Sequence, residues 1–323
     1  MLSACTIFVA KQTVTMEKKF SGDPSEIIQS FQDFNLQIHC CRYWWVMNWE
    51  HKELSFPFWR IYSNVQEGGF MEYRGKIYEM KPNKLYLIAP NTNYSSRLYN
   101  NPIPEDGYNF SGGRISDIDK NMHEKLIEKG AVEHLFIHFT LGYPYDNVSP
   151  EIYVFDKDKH LDNKITLLRD YLTRNVAQIN FTVSLTIQSI ICDLLSNMGE
   201  EKWKDPIRDI RIAGVINHIE KNIDNDFTNE SLASIANMAS NSFSRLFKEQ
   251  TGSTLQNFIR KKRVNKACLM LLHSNHSIDE IADKTGFANR YHFTRIFKKV
   301  RGHTPAKYRK EGFFQGFWGS DQN

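Results

Sequence analysis

The chain has 323 residues, of which 41% are hydrophobic, so it is long enough for two domains that each bury a core. Its net charge of +4 by itself favours no particular class of partner. The five cysteines have no CxxC spacing, which argues against a zinc finger and fits reduced, buried thiols. Residues 1–10 are apolar but short and lack a basic flank, so we expect no signal peptide, no membrane span and a soluble cytoplasmic protein.

Residues 40–160 carry the signals of β-strands. Aromatic residues are dense there, and Gly68-Gly69 and Arg74-Gly75 mark hairpin turns. Residues 132–140 are predicted to form the last strand. The polar segment 100–130 is predicted to be a lid or a disordered insert, because a long segment without strand or helix signals is uncommon inside a compact domain.

Residues 160–195 change to helical spacing, with Leu161, Ile165, Leu168 and Leu172 on one stripe and further apolar residues from Leu185 onward. Strands followed by helices predict an α+β multidomain protein, with a small N-terminal β-barrel and a helical appendage. The composition changes within residues 196–206. We therefore predict an N-terminal domain over residues 1–200, an all-α domain over 207–310 and a tail over 311–323.

The last hundred residues contain one helical unit written twice. Residues 243–248 (FSRLFK) correspond to residues 293–298 (FTRIFK), 50 positions later, and Leu232-Ala233 corresponds to Ile281-Ala282. Each copy predicts a helix, a tight turn and a second helix. Asn237 and Gly286 suit the backbone of the two turns, while Ser240 or Asn241 in the first copy and Asn289 in the second are candidate helix caps.

The second helix of each copy has one apolar face and one face without acidic residues. Phenylalanines recur at positions i and i+4, which predicts that they are buried. The opposite face carries hydrogen-bonding groups and cations, which is typical of contact with a polyanion. The candidate DNA-contacting residues are Asn241, Ser244, Arg245 and Lys248 in the first copy, and Arg290, Tyr291, Thr294, Arg295 and Lys298 in the second.

Between the copies, residues 254–272 form a helical pattern without glycine or proline. Such a helix is about 28 Å long, and successive major grooves of B-DNA are roughly 34 Å apart. The helix could therefore hold two recognition helices in adjacent grooves. Residues 228–310 hold 16 lysines and arginines and 5 acidic residues, a net charge of +11, whereas the remainder has a net charge of −7. Attraction to phosphates is thus expected to be confined to this domain.

Residues 286–299 (GFANRYHFTRIFKK), followed by Gly302, Thr304-Pro305 and Tyr308-Arg309, resemble the signature of the AraC/XylS family of transcription regulators. The resemblance covers about residues 207–310. It implies a seven-helix domain with two helix-turn-helix units, double-stranded DNA as partner and a leaning towards activation. Ala239 stands where a capping serine is common in the family, and Asn229 stands where an apolar residue is usual.

The order of elements before residue 200 resembles the family's cupin-like sensor domain, which implies a small-molecule effector and a homodimer. We place the dimer contact on the helices near 160–195. Along the strand 132–140, His134, Phe136 and His138 share one side, and the resemblance places His134 and Phe136 at the effector site. Trp59 is a further candidate, although each aromatic ring could instead belong only to the core.

An enzymatic N-terminal domain is the competing interpretation. Metal-dependent cupins need a His-x-His motif, which the chain lacks, and His134 and His138 are roughly 13 Å apart along a strand. We therefore predict no catalytic residues, no metal and no cofactor. Three interpretations remain: an effector-controlled regulator, a cupin-type enzyme fused to a DNA-binding domain, and a DNA-binding protein whose N-terminal domain only oligomerises. Contact with RNA polymerase is compatible with the first interpretation, but no motif supports it.

Overall fold

The computed structural model of the chain describes residues 34–105, 107–174, 178–203, 207 and 209–313. Residues 1–10 and the predicted tail beyond residue 313 lie outside the described residues. Within the described part, an antiparallel sheet curls into a half-barrel, two helices follow it, and a helical region completes the chain. None of the helices in this part is both long and apolar enough to cross a membrane.

In the part of the chain that the structure describes, nine strands form one sheet in the order β4-β3-β6-β1-β8-β2-β5-β9, with β7 paired to β1. The 18-residue β1 pairs in turn with β8, β7 and β6, so it connects most of the barrel. The strands are β1 Gln37–Leu54, β2 Trp59–Asn64, β3 Gly69–Tyr73, β4 Lys76–Met80, β5 Lys84–Ile88, β6 Tyr94–Leu98, β7 Tyr108–Arg114, β8 Val132–Thr140 and β9 Ile152–Asp156.

The hairpin predicted at Arg74-Gly75 and the bounds of β8 are confirmed. Arg74 and Gly75 both have positive φ (52° and 75°), as the two central residues of a tight hairpin turn require. The hairpin predicted at Gly68-Gly69 is wrong, because β2 pairs with β5 and β8 whereas β3 pairs with β4 and β6. The prediction that residues 132–140 form the last strand is wrong, because β9 follows and pairs with β5. Four of its five residues are of strand-forming types, so the sequence carried a signal that the prediction overlooked.

Of the two predictions for the segment 100–130, a lid or a disordered insert, disorder is wrong, because its described residues include a strand and a helix. It supplies β7, which pairs with β1, and helix α1 (Lys120–Glu128). The buried carboxylate of Glu50 accepts hydrogen bonds from the side-chain amides of Asn101 and Asn109, each at 2.9 Å. A buried carboxylate needs such donors, so the polar residues of this segment bind to the barrel rather than only to solvent.

The outer face of the sheet packs against two helices. Trp59, Ile61 and Ile137 lie on the outer face, against helices α2 (Lys159–Leu172) and α3 (Phe181–Ser196). The predicted stripe on α2 is buried. Leu185 on α3 is 47% exposed, whereas the apolar residues that follow it are buried: Ile187, Ile190, Ile191 and Leu194.

The described residues of the C-terminal region form the seven helices that the family resemblance implied: α4 Ile210–Lys221, α5 Asn229–Ile235, α6 Ser240–Thr251, α7 Leu255–His273, α8 Ile278–Lys284, α9 Arg290–Arg301 and α10 Pro305–Phe313. Helices α4 to α6 and the first part of α7 share one apolar core. The rest of α7 and α8 to α10 share a second core, which continues into the barrel interior. Phe56 contacts Tyr308 and Phe58 contacts His273, with ring centroids 5.9 and 5.7 Å apart.

Candidate nucleic-acid interface and ligand sites

Helices α6 and α9 begin differently although their sequences match. Asn289 caps α9 by accepting a hydrogen bond from the His292 amide at 2.9 Å, as predicted. Helix α6 has Ala239 at its N-cap and no side-chain cap, so the expectation that Ser240 or Asn241 caps it is wrong. Because a good cap contributes about 1 kcal/mol, the first helix lacks a stabilising contact that the second one has.

The helix faces are those that the spacing predicted. Phe243, Phe247, Phe293 and Phe297 are fully buried. The residues proposed to contact DNA lie on the opposite face: Asn241, Arg245, Lys248, Arg290, Tyr291, Arg295 and Lys298 are exposed, and Ser244 and Thr294 are half-buried. Tyr291 is 86% exposed, which is unusual for a large aromatic side chain that serves the fold alone.

Four of the cations on these faces are available to a ligand. Among the described residues, none forms an ion pair with Arg245, Lys248, Arg295 or Lys298. Arg290 differs, because its guanidinium lies 3.1 Å from the carboxylate of Asp279. Contact between Arg290 and a phosphate would therefore compete with an ion pair already present.

Two of the four basic residues at 260–263 of the linker helix α7 form structural contacts. Arg260 and Lys261 are exposed. Lys262 pairs with Glu220, and Arg263 donates hydrogen bonds to backbone carbonyls, including that of Ile223 at 3.0 Å. In the sequence these four residues are one basic run, and only the fold distinguishes the two exposed cations from the two structural ones.

The structure brings three of the four candidate effector residues together. His134, Phe136 and His138 point into the barrel, with ring centroids 5.6 Å apart for the first pair and 5.3 Å for the second. Trp59 lies on the outer face, where its ring stacks on Phe139 at 6.1 Å. It is therefore separated from the other three by the sheet.

Burial keeps the histidines of this inward cluster neutral. It lowers the pKa of His134 to about 3 and the pKa of His138 well below its usual value. His134 also lies 2.7 Å from the side-chain oxygen of Asn64, through its Nδ1. The cluster thus offers neutral imidazoles and aromatic faces rather than positive charge.

Arg60 supplies that charge, and sequence reasoning missed it. It is fully buried in the barrel, and its guanidinium lies over the rings of Phe56 and Tyr94 at 5.1 and 5.0 Å. One Nη donates to the Thr92 carbonyl at 3.3 Å, while Nε and the other Nη have no hydrogen-bond partner among the described residues. The strand alternation of Trp59, Arg60 and Ile61 could have placed it on the inward face.

Two cavities lie outside this cluster. One of about 420 Å³ lies beside α1 and α2, and its lining includes His123, Glu133 and Arg169. The other, of about 530 Å³, lies between the barrel rim and helices α9 and α10, and its lining includes Lys52 and Arg301. Neither is lined by His134, Phe136 or His138.

Metal-ligating side chains meet at the mouth of the barrel. Cys40, His138 and His273 each place one ligand atom within 4.8 Å of the others. His134 and His138, the pair considered from the sequence, lie too far apart along β8 to share one ion. The structure instead groups His138 with residues from β1 and α7 that are distant in sequence.

Residues 232–311 match the family described as a helix-turn-helix domain. The chain is 35% identical over 113 residues to the bifunctional transcriptional activator/DNA repair enzyme AdaA of Bacillus subtilis (strain 168), covering 35% of this chain and 50% of AdaA. It is 36% identical over 104 residues to the transposon Tn10 TetD protein of Escherichia coli, covering 32% of this chain and 75% of TetD. The structure of ToxT from Vibrio cholerae matches with a TM-score of 0.46 and 11% identity, covering 87% of this chain and 99% of ToxT. The chain thus spans about half the length of AdaA.

Proposed function

Since this chain belongs to the AraC/XylS family of transcription regulators, we propose that it activates transcription as a one-component regulator with its own sensor domain. The C-terminal helices would bind double-stranded DNA, and the half-barrel would bind a small-molecule effector. No catalytic step is proposed. The similarity to AdaA, which is named in part as a repair enzyme, extends over 113 residues only.

The observation that carries the DNA-binding proposal is the matched pair of outward faces on α6 and α9. Arg245 and Arg295 occupy the same position on their helices, and Lys248 and Lys298 lie one turn further on. The 19-residue α7 joins the two units. Its length of about 28 Å is close to the spacing of successive major grooves. We propose that the arginines contact bases and the lysines contact phosphates.

The effector is proposed to bind on the inward face of the barrel, beside His134, Phe136 and His138. Arg60 supports this placement, because a buried guanidinium with unused donors stabilises a ligand that accepts hydrogen bonds. Trp59 is not part of this proposed site, because its ring lies on the other face of the sheet. The contacts of Phe56 with Tyr308 and of Phe58 with His273 would transmit a change in the barrel to α10 and α7.

A homodimer through α2 and α3 is proposed as well. Leu167, Phe181 and Leu185 are 49%, 77% and 47% exposed on these helices. Large apolar side chains exposed on consecutive helices favour contact with another protein surface. A dimer would present four recognition helices to the DNA and raise the apparent affinity.

The proposal is tested by a thermal-shift screen of small metabolites on the full-length chain, repeated with the DNA sequence that the chain selects from a random pool. We expect at least one compound to stabilise the chain and to change its affinity for the selected DNA. Phe136→Ala should lose the thermal shift, whereas His123→Gln in the outer cavity should retain it. Selection of no sequence from the pool would contradict the regulator function, whichever compounds bind.

A further inference from the structure

Three metal-ligating side chains converge where the linker helix meets the barrel. Cys40 lies on β1, His138 lies on β8, and His273 is the last residue of α7. Their ligand atoms lie within 4.8 Å of one another. We propose that Cys40, His138 and His273 bind a thiophilic d¹⁰ metal ion, Zn²⁺ or Cu⁺.

The pairing of the strands explains how two of the ligands meet. Cys40 and His138 are direct partners in the antiparallel pair of β1 and β8, so their side chains emerge on the same face. The register shifts between Ile38 and Cys40, which leaves His39 as the extra residue of a β-bulge. Bulges commonly redirect side chains beside functional sites, and this one adjoins the candidate ligand.

The third ligand comes from the DNA-binding region. The ring centroid of His273 lies 5.5 Å from that of His138 and 5.8 Å from that of His39. Phe58 packs against both His138 and His273, at 5.0 and 5.7 Å, and restricts their rings. His273 also ends α7, where the partial negative charge of the helix C-terminus favours a cation.

The donor set suits a soft or borderline cation. One cysteine sulfur and two imidazole nitrogens bind zinc and copper better than they bind magnesium or calcium, which prefer oxygen. Bonds of about 2.0–2.3 Å bring the ligand atoms of a zinc site to within about 4 Å of one another. The separations here need to contract by only about 1 Å, which small rotations of the cysteine and histidine side chains can supply.

Binding exchanges one proton for one metal ion. The metal–sulfur bond forms as the Cys40 S–H bond breaks, and the proton leaves to solvent. With the thiolate, Cu⁺ adds no net charge and three ligands suffice. Zn²⁺ leaves one positive charge near Arg42 and Arg60 and takes water as a fourth ligand. The two ions are therefore distinguishable by experiment.

A bound ion would join β1 and β8 of the barrel to the end of the helix that carries both reading units. It would thereby hold the second unit, α8 and α9, in one position relative to the barrel. This consequence rests on the proposed function, because it matters only if the chain binds DNA. The metal site itself does not depend on that function.

The test is a titration of the reduced, metal-free, full-length chain with Zn²⁺ and, separately and without oxygen, with Cu⁺, each against a chromogenic chelator. We expect one ion per chain for at least one metal, with affinity lowered tenfold or more in Cys40→Ser, His138→Gln and His273→Gln. Cys192→Ser and His160→Gln change exposed residues of the same types and should retain the affinity. Equal affinity in all five variants, or no competition with either chelator, would overturn the site.

A measurement on the unsubstituted chain removes the risk that a variant fails to fold. If the ion is Zn²⁺, Co²⁺ added to the metal-free chain should give a thiolate-to-cobalt charge-transfer band, and the absence of this band together with no competition for Cu⁺ would overturn the site. The affinity for the selected DNA is then measured with and without metal. A metal-dependent change that is lost in His273→Gln supports the link to α7, and an unchanged affinity contradicts that link. Failure to bind DNA in either condition contradicts the proposed function instead.

Discussion

The guanidinium of Arg263, on the linker helix, donates a hydrogen bond to the carbonyl oxygen of Gly286, in the turn of the second reading unit. The same side chain donates to the carbonyls of Ile223 and Asn225, at 3.0 and 2.7 Å. One arginine therefore joins the linker helix to the segment after α4 and to the turn before α9. These bonds give partners to three backbone carbonyls in the segments that follow α4 and α8.

Gly286→Ala is expected to destabilise the chain by about 2–4 kcal/mol. Gly286 has a φ of +73°, and a Cβ there would lie 2.7 Å from Arg263 Cζ and 2.8 Å from the Asp224 carbonyl oxygen. The substitution therefore combines backbone strain with a steric overlap that breaks the hydrogen bonds of Arg263. Chemical denaturation of the full chain measures the loss.

Gly302→Ala is the matched control. Gly302 has a similar φ of +82°, but nothing lies within 4 Å of the added Cβ. The variant should therefore lose only about 1–2 kcal/mol of stability, which is the cost of the left-handed conformation for alanine. Equal losses for the two variants would show that the contact with Arg263 contributes nothing beyond backbone strain.

Phe247→Ala and Phe297→Ala should each lower the free energy of unfolding by about 3–5 kcal/mol, because both rings are fully buried. Each also contacts a ring of another helix, Phe258 and Tyr308 respectively, at 5.3 Å. Tyr291→Ala, which removes an exposed ring, should leave stability unchanged and weaken DNA binding. If Phe297→Ala left unfolding unchanged and abolished DNA binding, the assigned helix faces would be wrong.

The repeat made the C-terminal region predictable. Its turns need a positive φ, which Asn237 and Gly286 adopt, and its buried faces follow from the positions of four phenylalanines. Local preference and tertiary structure agree there, so the sequence pattern was sufficient. The missing cap on α6 is an exception, because capping depends on backbone geometry at Ala239 rather than on which polar residues lie nearby.

The half-barrel region was predictable only in outline. The contact of Glu50 with Asn101 and Asn109 spans about fifty residues, and no local pattern encodes it. The grouping of Cys40 and His138 with His273 depends on a strand register and on the packing of two regions. Such long-range contacts require the fold, whereas the alternation of His134, Phe136 and His138 required only the period of a strand.

Leu185→Glu and Leu167→Glu should convert the proposed dimer into a monomer. Both side chains are about half exposed on α3 and α2, so a charge costs little in the free chain but is desolvated at an interface. Light scattering across the micromolar range measures the mass. Ile77→Glu replaces an equally exposed apolar residue on β4 and should leave the dimer intact. A monomeric unsubstituted chain would remove the dimer from the proposal and leave DNA binding unaffected.

Arg245→Ala and Arg295→Ala are each expected to weaken binding to the selected DNA by about 1–3 kcal/mol and to relax base preference at one groove only. Lys248→Ala and Lys298→Ala should weaken binding to all sequences and lower its salt dependence, since a phosphate contact carries no base information. Lys129→Ala, which removes an exposed cation of the half-barrel region, is the control and should change neither the affinity for DNA nor its salt dependence. Fluorescence anisotropy at several salt concentrations distinguishes the two classes of contact.

Footprinting of the chain on its selected DNA tests the central claim, that α6 and α9 read adjacent major grooves from one side of the duplex. We predict two protected major-groove segments per chain, about one helical turn apart. Arg245→Ala should weaken protection in one of them and Arg295→Ala in the other. A single protected groove per chain would contradict the account, and so would a loss of protection in the same segment in both variants.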